Sequence, residues 1–471
     1  MLQKYTISFN LLFLVCLFQQ VHAQGWSIQL NLNQDNQDTV LFAHYYNGNI
    51  LVNDTLTTDK YGQGKIQGAE SLPQGIYTFY FDKHKQIDFL LGEDQNLSIR
   101  EENGEVEISG APESIRFQSY IDFLSKKKKQ AADLREQLKQ QSGQTDSASV
   151  IKKQLRDLDN EVQNHWQQEG NKAAGSFCQK FIASNIRIAL EESQIPAEVL
   201  ANDSLLQNFR YNFNKNHYWD HFDLYDIRMW RTPTIQSRLH DYFNKVLIQL
   251  ADSVLPSAIQ MIEASNDQPE IFQNLVSFVL NNSVKSDYME IENVFVAIAE
   301  KYYLTGRAYW TSEKTIQNIR QEVYFRKNNL IGSMAKELLL EDEKGEYHSL
   351  YQQSTPFTLV VFWEPGCGYC KKQIPGLFEE VFMKTNPSKL TVIAVYTQDN
   401  KNEWLDFISK HELDGWINVW DPHRTSNFQV NYNVRTTPMI YLLDKDKKIL
   451  AKKLSVDSIK NLLRGLISAG Q

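Results

Sequence analysis

Cysteine is scarce in this chain, with four in 471 residues. A scaffold held together by disulfide bonds needs many more, so apolar cores must stabilise the fold, and the length allows two or three of them. The formal net charge of −8 gives no electrostatic reason to expect nucleic-acid binding. Beyond the N-terminus, no apolar run approaches the roughly 20 residues that cross a bilayer. We therefore predict no nucleic-acid partner and no membrane span in the mature chain.

The N-terminus has the pattern of a secretory signal peptide. Lys4 gives a weakly positive start, residues 11–18 form a short apolar core, and Ala23 ends a segment that resembles a cleavage site. We predict that residues 1–23 are a signal peptide and that the mature chain is exported. Cys16 lies within the apolar core, and we do not interpret it as a lipoprotein cysteine. Processing at Cys16 would instead anchor the protein to a membrane.

Residues 25–110 have the pattern of an all-β domain. Trp26, Ile28, Leu30 and Leu32 alternate with polar residues, and further short apolar runs are separated by glycines. Alternation with a period of two is typical of half-buried strands, and the frequent turns favour a small β-sandwich. The segment has no cluster of nucleophiles, bases or metal ligands. We therefore predict that it binds or spaces rather than catalyses.

Residues 111–329 are predicted to form a mostly helical domain. Ile151, Leu155, Leu158 and Val162 recur at intervals of three and four residues, and a similar pattern precedes the polar turn at 141–143. This arrangement predicts a helical hairpin. The hairpin could support an oligomer, although packing within the monomer is the commoner outcome.

Two features of the helical segment resemble functional sites. His217 and His221 have the spacing of two metal ligands on one helical turn. Aromatic residues crowd this stretch, which favours packing with a polar edge, so we predict no metal ion. Cys178 lies beside Phe177 in a helical pattern and is most simply a buried small apolar residue.

Two cysteines three positions apart, Cys367 and Cys370, follow the apolar run at 357–362 and precede a helical pattern. A buried strand would thus bring them to the N-terminus of a helix, where unpaired N–H groups and the helix dipole favour a thiolate. Cys370 could then attack a mixed disulfide formed by Cys367. Zinc sites share this spacing but usually need a second ligand pair, which the sequence lacks. A disulfide without turnover has no need of a helix N-terminus, so redox chemistry is the better interpretation.

Residues 331–471 alternate between strand and helix patterns. Strands are predicted at 358–363, 390–396, 439–443 and 449–453. Helices are predicted at 369–384, 402–411, 424–432 and 456–466. This alternation is typical of an α/β layer fold, with the cysteine pair at the carboxyl end of the first central strand.

The C-terminal segment resembles the TlpA-like and ResA-like exported thiol–disulfide oxidoreductases of the thioredoxin superfamily. The resemblance rests on Trp363, on the Cys367-Gly-Tyr-Cys370 motif, on the Lys-Lys-Gln-Ile-Pro run at 371–375 and on Thr437-Pro438. It implies a C-terminal α/β thioredoxin-like fold. Together with the N-terminal β-sandwich and the central mostly α-helical domain predicted above, it gives a multidomain chain. The two upstream segments resemble uncharacterised domains that precede such modules in exported bacterial proteins.

The resemblance also implies roles for individual residues. Cys367 would be the exposed nucleophile and Cys370 the buried resolving thiol, and together they would form the redox-active disulfide. Pro438 would follow a cis peptide bond and lie against that disulfide, while the backbone of Thr437 would pair with the substrate. The other predicted substrate contacts are Trp363, Gly368 and Tyr369.

Two positions depart from the family pattern. Val361 stands where thioredoxin has a buried aspartate, and Gln373 stands where ResA-like proteins often have a glutamate. Both usual proton acceptors for Cys370 are therefore missing. Glu364, three residues before Cys367, is the nearest carboxylate in sequence and our candidate base, acting directly or through water. The alternative is that Glu364 is a solvated surface residue.

The leading hypothesis is a periplasmic reductase of protein disulfides that a membrane electron donor recharges and that needs no cofactor. The Gly-Tyr pair and Thr437 leave a disulfide isomerase as an alternative, because the residues between the cysteines tune the potential without fixing the direction. A binding or scaffolding protein with a weakly redox-active module is the second alternative. Val361 and Gln373 favour it, and the intact cysteine pair opposes it.

Overall fold

The computed structural model describes residues 25–32, 39–83, 85–140, 145–172 and 175–468. The predicted signal peptide, with Cys16, lies outside the described residues. The chain forms two compact units, Met1–Ser237 and Arg238–Gln471. This division differs from the three predicted domains, whose boundaries near residues 110 and 330 stay a prediction. Strands nevertheless give way to helices between Ser109 and Pro112, and helices give way to strands between Arg326 and Leu339.

The described part of the first unit has strands at its start and helices after them. The strands are β1 (Trp26–Leu32), β2 (Thr39–Tyr46), β3 (Asn49–Thr57), β4 (Gln63–Gly68), β5 (Gly75–Asp82), β6 (Lys85–Leu91), β7 (Asn96–Glu102) and β8 (Glu105–Ser109). The helices are α1 (Pro112–Gln140), α2 (Thr145–Gly170), α3 (Phe177–Ala183), α4 (Ala197–Leu200) and α5 (Asp203–His217). Helix α6 (Ile235–Asp241) contains the position at which the two units divide.

The strands of the first unit form the predicted β-sandwich. One sheet has the order β4-β1-β7-β8 and the other β3-β2-β5-β6. Ile28 and Leu30 of the first sheet share one buried core with Phe42 and Phe79 of the second, so the alternating apolar residues face each other between the sheets. Strands β3 and β4 are not among the short apolar runs from which the sandwich was predicted. Strand β3 is an edge strand that exposes nearly all of its side chains, and its sequence therefore has no apolar alternation.

Helices α1 and α2 form the predicted hairpin, although its turn at 141–143 lies outside the described residues. The guanidinium of Arg116 near the start of α1 pairs with Glu169 at the end of α2, with 3.0 Å between Nε and Oε2, so the helices run antiparallel. Cys178 is buried in α3 as predicted. Burial raises the pKa of its thiol to about 12, which makes it a poor nucleophile at neutral pH.

The second unit combines helices with a mixed sheet. Its helices are α7 (Ala251–Ala264), α8 (Pro269–Val284), α9 (Ile291–Ile298), α10 (Glu313–Arg326), α11 (Gly368–Leu377), α12 (Lys401–Lys410), α13 (Phe428–Asn431) and α14 (Val456–Ser468). Its strands are β9 (Leu339–Glu341), β10 (Tyr347–Ser349), β11 (Phe357–Trp363), β12 (Leu390–Tyr396), β13 (Ile417–Trp420), β14 (Met439–Leu443) and β15 (Ile449–Lys452). No helix in the described ranges is long and apolar enough to cross a bilayer.

The seven strands of this sheet lie in the order β10-β9-β13-β12-β11-β14-β15. Strand β11 is parallel to β12 and antiparallel to β14, and all of its residues are buried, as expected for a central strand covered on both faces. The prediction missed β9, β10 and β13, which have three or four residues each. It also extended the helix after the cysteines to residue 384, whereas α11 ends at Leu377 and a π-helical turn follows at Phe378–Phe382.

A chain of ion pairs joins α9 and α10 to the sheet and to the loop before β14. Lys452 of β15 pairs with Glu292 of α9. Glu292 also pairs with Arg326 of α10 at 2.9 Å, and Arg326 pairs with Glu322 at 2.9 Å. Glu322 then binds Arg435 at 2.7 Å, two residues before Thr437. The helices before residue 330 therefore hold the loop that leads to Thr437.

Candidate active site

The Cys367–Cys370 motif lies where strand β11 ends and helix α11 begins. Cys367 is the N-cap residue of α11, and its sulfur accepts a hydrogen bond from the backbone N–H of Cys370, with 3.2 Å between N and Sγ. The Cys367 carbonyl accepts from the N–H of Lys371 at 3.2 Å, one turn into the helix. A cysteine can cap this helix because its sulfur takes the place of the oxygen that Ser or Asp would supply. The first sulfur is thereby held at the positive end of the helix dipole.

This environment favours the thiolate of Cys367. Partial burial opposes ionisation, but hydrogen bonds from the thiol and backbone N–H of Cys370, from Thr437 and from the N–H of Tyr369 outweigh it. The pKa of the Cys367 thiol is therefore lowered from its ordinary value. Since the thiolate is the attacking species in disulfide exchange, this environment supports the predicted role of Cys367 as the nucleophile.

Cys370 has the opposite environment. Its side chain is 0% exposed and belongs to the same hydrophobic core as Trp363 and Ile374. Burial and the hydrogen bond with Cys367 raise the pKa of the Cys370 thiol to about 12. Cys370 therefore stays protonated while Cys367 attacks, which suits the second, resolving step.

The loop before β14 lies over the first sulfur. The peptide bond between Thr437 and Pro438 is cis, as the resemblance implies. The protonated Cys367 thiol donates to the carbonyl oxygen of Thr437, with 3.1 Å between Sγ and O. That carbonyl lies at the site where a substrate backbone would have to approach the nucleophile. A substrate role for Thr437 and Pro438 stays a prediction.

Glu364 is held beside this loop and is not a freely solvated surface residue. Its Oε1 accepts a hydrogen bond from the Thr437 hydroxyl at 3.0 Å, and its Oε2 accepts one from the side-chain amide of Gln398. The sequence analysis missed Gln398 and the Thr437 side chain. The available signal was the pair of predicted strands at 358–363 and 390–396 with a helix between them, because such strands run parallel and end at the same sheet edge. The structure pairs Trp363 with Tyr396 at that edge.

The remaining predicted substrate contacts divide between surface and core. Tyr369 is 74% exposed, and Gly368 beside it is also exposed, with no atom within 4 Å of the place where a Cβ would stand. Trp363 is fully buried and packs against Phe407, with 4.6 Å between ring centroids. Its predicted role in substrate contact is therefore corrected to one of packing beneath the motif, because β11 is covered on both faces. Val361 is also fully buried.

The different environments of the two thiols predict selective alkylation. With limiting iodoacetamide, we expect Cys367 to react with a pH midpoint below that of an unperturbed cysteine, because its thiolate fraction rises through a lowered pKa. Cys370 should stay unmodified over about pH 6 to 9 while the protein is folded. Mass spectrometry of the labelled peptides measures both. A midpoint for Cys367 at or above that of a free thiol would contradict the geometry described here.

Two protein-family models match this chain, one over the segment that contains the site and one over the segment before it. Residues 331–452 match the AhpC/TSA family, and residues 158–331 match a domain of unknown function, DUF5106. A comparison with curated protein sequences finds no match.

Several solved structures are similar to parts of the chain. A domain of a possible thiol-disulfide isomerase from Cytophaga hutchinsonii is 31% identical, covers 30% of this chain and 95% of its own, and has a TM-score of 0.28. A thiol:disulfide interchange protein from Bacteroides sp. is 26% identical over 30% of this chain and 92% of its own, with a TM-score of 0.28. A thioredoxin-like protein from Bacteroides caccae is 21% identical over 59% of this chain and 96% of its own, with a TM-score of 0.44.

The AhpC/TSA match extends over the whole of the site built above, from Cys367 at the helix N-terminus to the cis proline of the facing loop. The C-terminal region of this chain is therefore an AhpC/TSA domain of the thioredoxin-like thiol–disulfide oxidoreductase class.

Proposed function

We propose that this protein is an exported reductase that opens disulfides of other proteins with the Cys367–Cys370 dithiol. The observation that carries the proposal is the opposite tuning of two thiols three residues apart. The thiol that is partly exposed is favoured as a thiolate, and the thiol that is buried is kept protonated. A binding protein or a structural disulfide has no need of such a difference.

The proposed reaction takes place in two exchange steps. The Cys367 thiolate attacks one sulfur of the substrate disulfide, so that a mixed disulfide forms and the other substrate sulfur leaves as a thiolate that takes a proton from water. Cys370 then loses its proton and attacks the sulfur of Cys367. The mixed disulfide breaks, the second substrate thiol is released, and the Cys367–Cys370 disulfide remains. Two electrons and two protons have then passed to the substrate.

The surroundings of Cys367 support a protein substrate. The carbonyl of Thr437 is already within 3.1 Å of the nucleophilic sulfur, so an extended substrate backbone that pairs with Thr437 would place its disulfide beside Cys367. The exposed ring of Tyr369 offers an apolar contact next to the motif. We propose Thr437, Gly368 and Tyr369 as the substrate contacts and Pro438 as the residue that closes the site.

The proposed reaction requires a supply of electrons, and the N-terminal sequence suggests the compartment from which they come. Each turnover converts the dithiol into a disulfide, so continued reduction needs a donor of electrons. The signal-peptide pattern at residues 1–23 favours the periplasm, where that donor would have to bring electrons across the membrane. We propose a membrane protein with its own dithiol in that role.

A disulfide isomerase is the second candidate, and one observation favours it. The contacts that lower the pKa of Cys367 stabilise the reduced form, and a stabilised reduced form raises the reduction potential. A higher potential suits isomerisation, because the enzyme then releases the rearranged substrate without reducing it.

The reduction potential of the Cys367–Cys370 pair tests the proposal. We expect a value near that of thioredoxin, about −270 mV, after equilibration of the mature protein with dithiothreitol or glutathione buffers. The Cys178→Ala variant is the control and should have the same potential, since Cys178 lies outside the motif. A value of roughly −180 to −120 mV would overturn the reductase in favour of isomerisation or oxidation. A pair that does not exchange at all would overturn the redox function itself.

A further inference from the structure

The loop before β14 lies where an extended substrate would pair with the protein. It comprises residues 432–438, between α13 and β14, and its Thr437 carbonyl oxygen lies 3.1 Å from the sulfur of Cys367. A misplacement of about 1 Å between reacting groups can cost about 100-fold in rate. Whatever fixes the position of this loop therefore affects how well a peptide disulfide is aligned with Cys367.

The middle of the loop is held by the side chain of Arg435, two positions before Thr437. Its guanidinium binds the Glu322 carboxylate of α10, with 2.7 Å between Nη1 and Oε1. The guanidinium also lies over the ring of Phe325, 4.3 Å from the ring centroid. Glu322 and Phe325 are three positions apart in α10 and so lie on one face of the helix. The other carboxylate oxygen of Glu322 accepts from Arg326 at 2.9 Å, which holds the side chain of Glu322 in place.

The start of the loop is held by the two residues near the end of α10. The side-chain amide of Asn328 donates to Oδ1 of Asn431 at 3.3 Å, and that of Asn329 donates to the backbone carbonyl of Asn431 at 3.2 Å. Asn329 is fully buried. Its amide also donates to the carbonyl of Phe325, and its Oδ1 accepts from the ammonium group of Lys452 at 3.0 Å. A buried side chain with all of its polar atoms paired is rigid, so Asn431, the last residue of α13, is fixed to α10.

The four residues that hold the loop precede the segment that contains the cysteine pair. They are Glu322, Phe325, Asn328 and Asn329, here called the α10 clamp, and they lie within residues 158–331, which match DUF5106. The loop and the cysteine pair lie within residues 331–452, which match the AhpC/TSA family. Both parts of this contact belong to the second compact unit. The end of the DUF5106 segment thus contacts the loop that faces Cys367.

We propose that the α10 clamp positions the Thr437 carbonyl for pairing with an extended substrate backbone and thereby favours peptide disulfides over small ones. Glu322 and Phe325 are positioning residues, because they act through Arg435 and the loop. A small disulfide that forms no backbone pair does not depend on the clamp, since Cys367 keeps its place at the N-terminus of α11. This inference rests on the proposed exchange reaction and gives the end of the DUF5106 segment a role in it.

Two disulfides with the same leaving group test the proposal. One is a short extended peptide without charged side chains, whose single cysteine is joined to an aromatic thiol that absorbs visible light once released. The other is the symmetric disulfide of that aromatic thiol. The aromatic thiol has the lower pKa and therefore leaves in both reactions. In a mature chain with Cys370→Ser and Cys178→Ala, called the parent, Cys367 is the only thiol that can attack. Stopped-flow traces give the second-order rate constant for each disulfide.

The variants Glu322→Gln and Phe325→Leu should each lower the rate constant for the peptide by about 5- to 20-fold, less than a full 1 Å misplacement costs. The rate constant for the symmetric aromatic disulfide should stay within about twofold of the parent value. Phe325→Tyr keeps the ring under the guanidinium and should retain most of the peptide rate. Glu313→Gln removes an exposed carboxylate at the other end of α10 and is the matched control, which should leave both rate constants unchanged.

A double-mutant cycle tests whether Glu322 acts through Arg435. Arg435→Gln should lower the peptide rate constant as Glu322→Gln does. In the Arg435→Gln background, Glu322→Gln should have little further effect, because the partner of the carboxylate is already gone. Additive losses would show that Glu322 acts through another contact and would overturn the clamp.

Failure of the clamp and failure of the exchange reaction give different results. If Glu322→Gln and Phe325→Leu react with both disulfides as the parent does, or are slowed by the same factor with both, the clamp does not align the substrate while the exchange reaction stands. If the parent releases no aromatic thiol from either disulfide, the exchange reaction itself fails. Reaction with the symmetric disulfide at the parent rate shows that a variant is folded, and if Glu322→Gln does not fold, Phe325→Leu still tests the clamp.

Discussion

The Cys367→Ser variant should reduce protein disulfides at least ~10³-fold more slowly than the wild type, close to the uncatalysed rate. A serine hydroxyl stays protonated at neutral pH and is a far weaker nucleophile than the thiolate that the helix N-terminus stabilises. Cys370 cannot replace it, because its thiol is fully buried and protonated. Insulin reduction, followed by the turbidity of the precipitating chains, measures the loss.

The Cys370→Ser variant should behave differently. It keeps the nucleophile but lacks the resolving thiol, so it should stop at the mixed disulfide and accumulate one covalently bound substrate per molecule. Such adducts, collected from cells on non-reducing gels, identify the substrates. Cys178→Ala is the matched control and should retain wild-type turnover. Full activity of Cys367→Ser would contradict the assignment of the nucleophile, and a failure to trap any protein would count against a protein substrate.

The second large effect concerns stability. We expect Glu292→Gln to lower the free energy of unfolding of the second unit by about 3 to 5 kcal/mol, the cost of leaving a buried charge without its partner. Lys452 is 1% exposed, and its ammonium group binds Glu292 and the backbone oxygen of Asn329, the latter at 2.7 Å. Without the carboxylate, that ammonium has only neutral acceptors.

The pKa of Glu292 sets the pH range in which its carboxylate stabilises the second unit. Burial opposes ionisation, but Lys452, Lys453 and Arg326 outweigh it, and the pKa of Glu292 is lowered. The carboxylate therefore stabilises the fold above its unfolded pKa, and the contribution is lost as the pH falls through the lower, folded-state pKa. The effect of Glu292→Gln should accordingly be present at neutral pH and shrink in acid.

Because the chain has two compact units, the unfolding experiment needs a signal that reports the unfolding of the second unit alone. In a Cys367→Ser, Cys178→Ala background, Cys370 is the only cysteine of the predicted mature chain, and its buried thiol reacts with a thiol label only after unfolding. Urea unfolding followed by this labelling should give a lower midpoint for Glu292→Gln. The exposed pair between Lys460 and Glu380 supplies the control, because Glu380→Gln should leave the midpoint unchanged. An unchanged midpoint for Glu292→Gln would show that the pair does not stabilise the unit.

Local patterns were sufficient for part of this site. The uninterrupted apolar run of β11, the two cysteines after it and the Thr437-Pro438 pair before β14 are all contiguous in sequence. Each has a direct structural meaning: a central strand, a helix N-terminus and a tight turn. The fold class could therefore be predicted, together with the position of one partly exposed and one buried thiol at the start of a helix.

Contacts across long sequence distances could not be predicted in this way. The hydrogen bond from Thr437 to Glu364 spans 73 positions, and the pair between Lys452 and Glu292 spans 160. Neither residue pair has a distinctive local pattern, since single charged and polar residues are common on any helix or loop. The prediction that Trp363 contacts the substrate was wrong because closeness in sequence was taken to mean closeness to the site. Trp363 is adjacent to the motif in sequence, but the pleat of β11 points its ring into the core.

The chain of ion pairs that ends at Arg435 has a consequence for exchanging modules between proteins. Residues 331–452, the part that resembles other oxidoreductases, include Arg435 but not its partner Glu322. Phe325, whose ring lies 4.3 Å from the Arg435 guanidinium, is also outside that part. A chimera cut at residue 331 would thus inherit the two cysteines and lose the anchor of the loop that faces them. The segment that evolution or an engineer could transplant with this loop still anchored is therefore longer than residues 331–452. It begins in the helices that precede those residues.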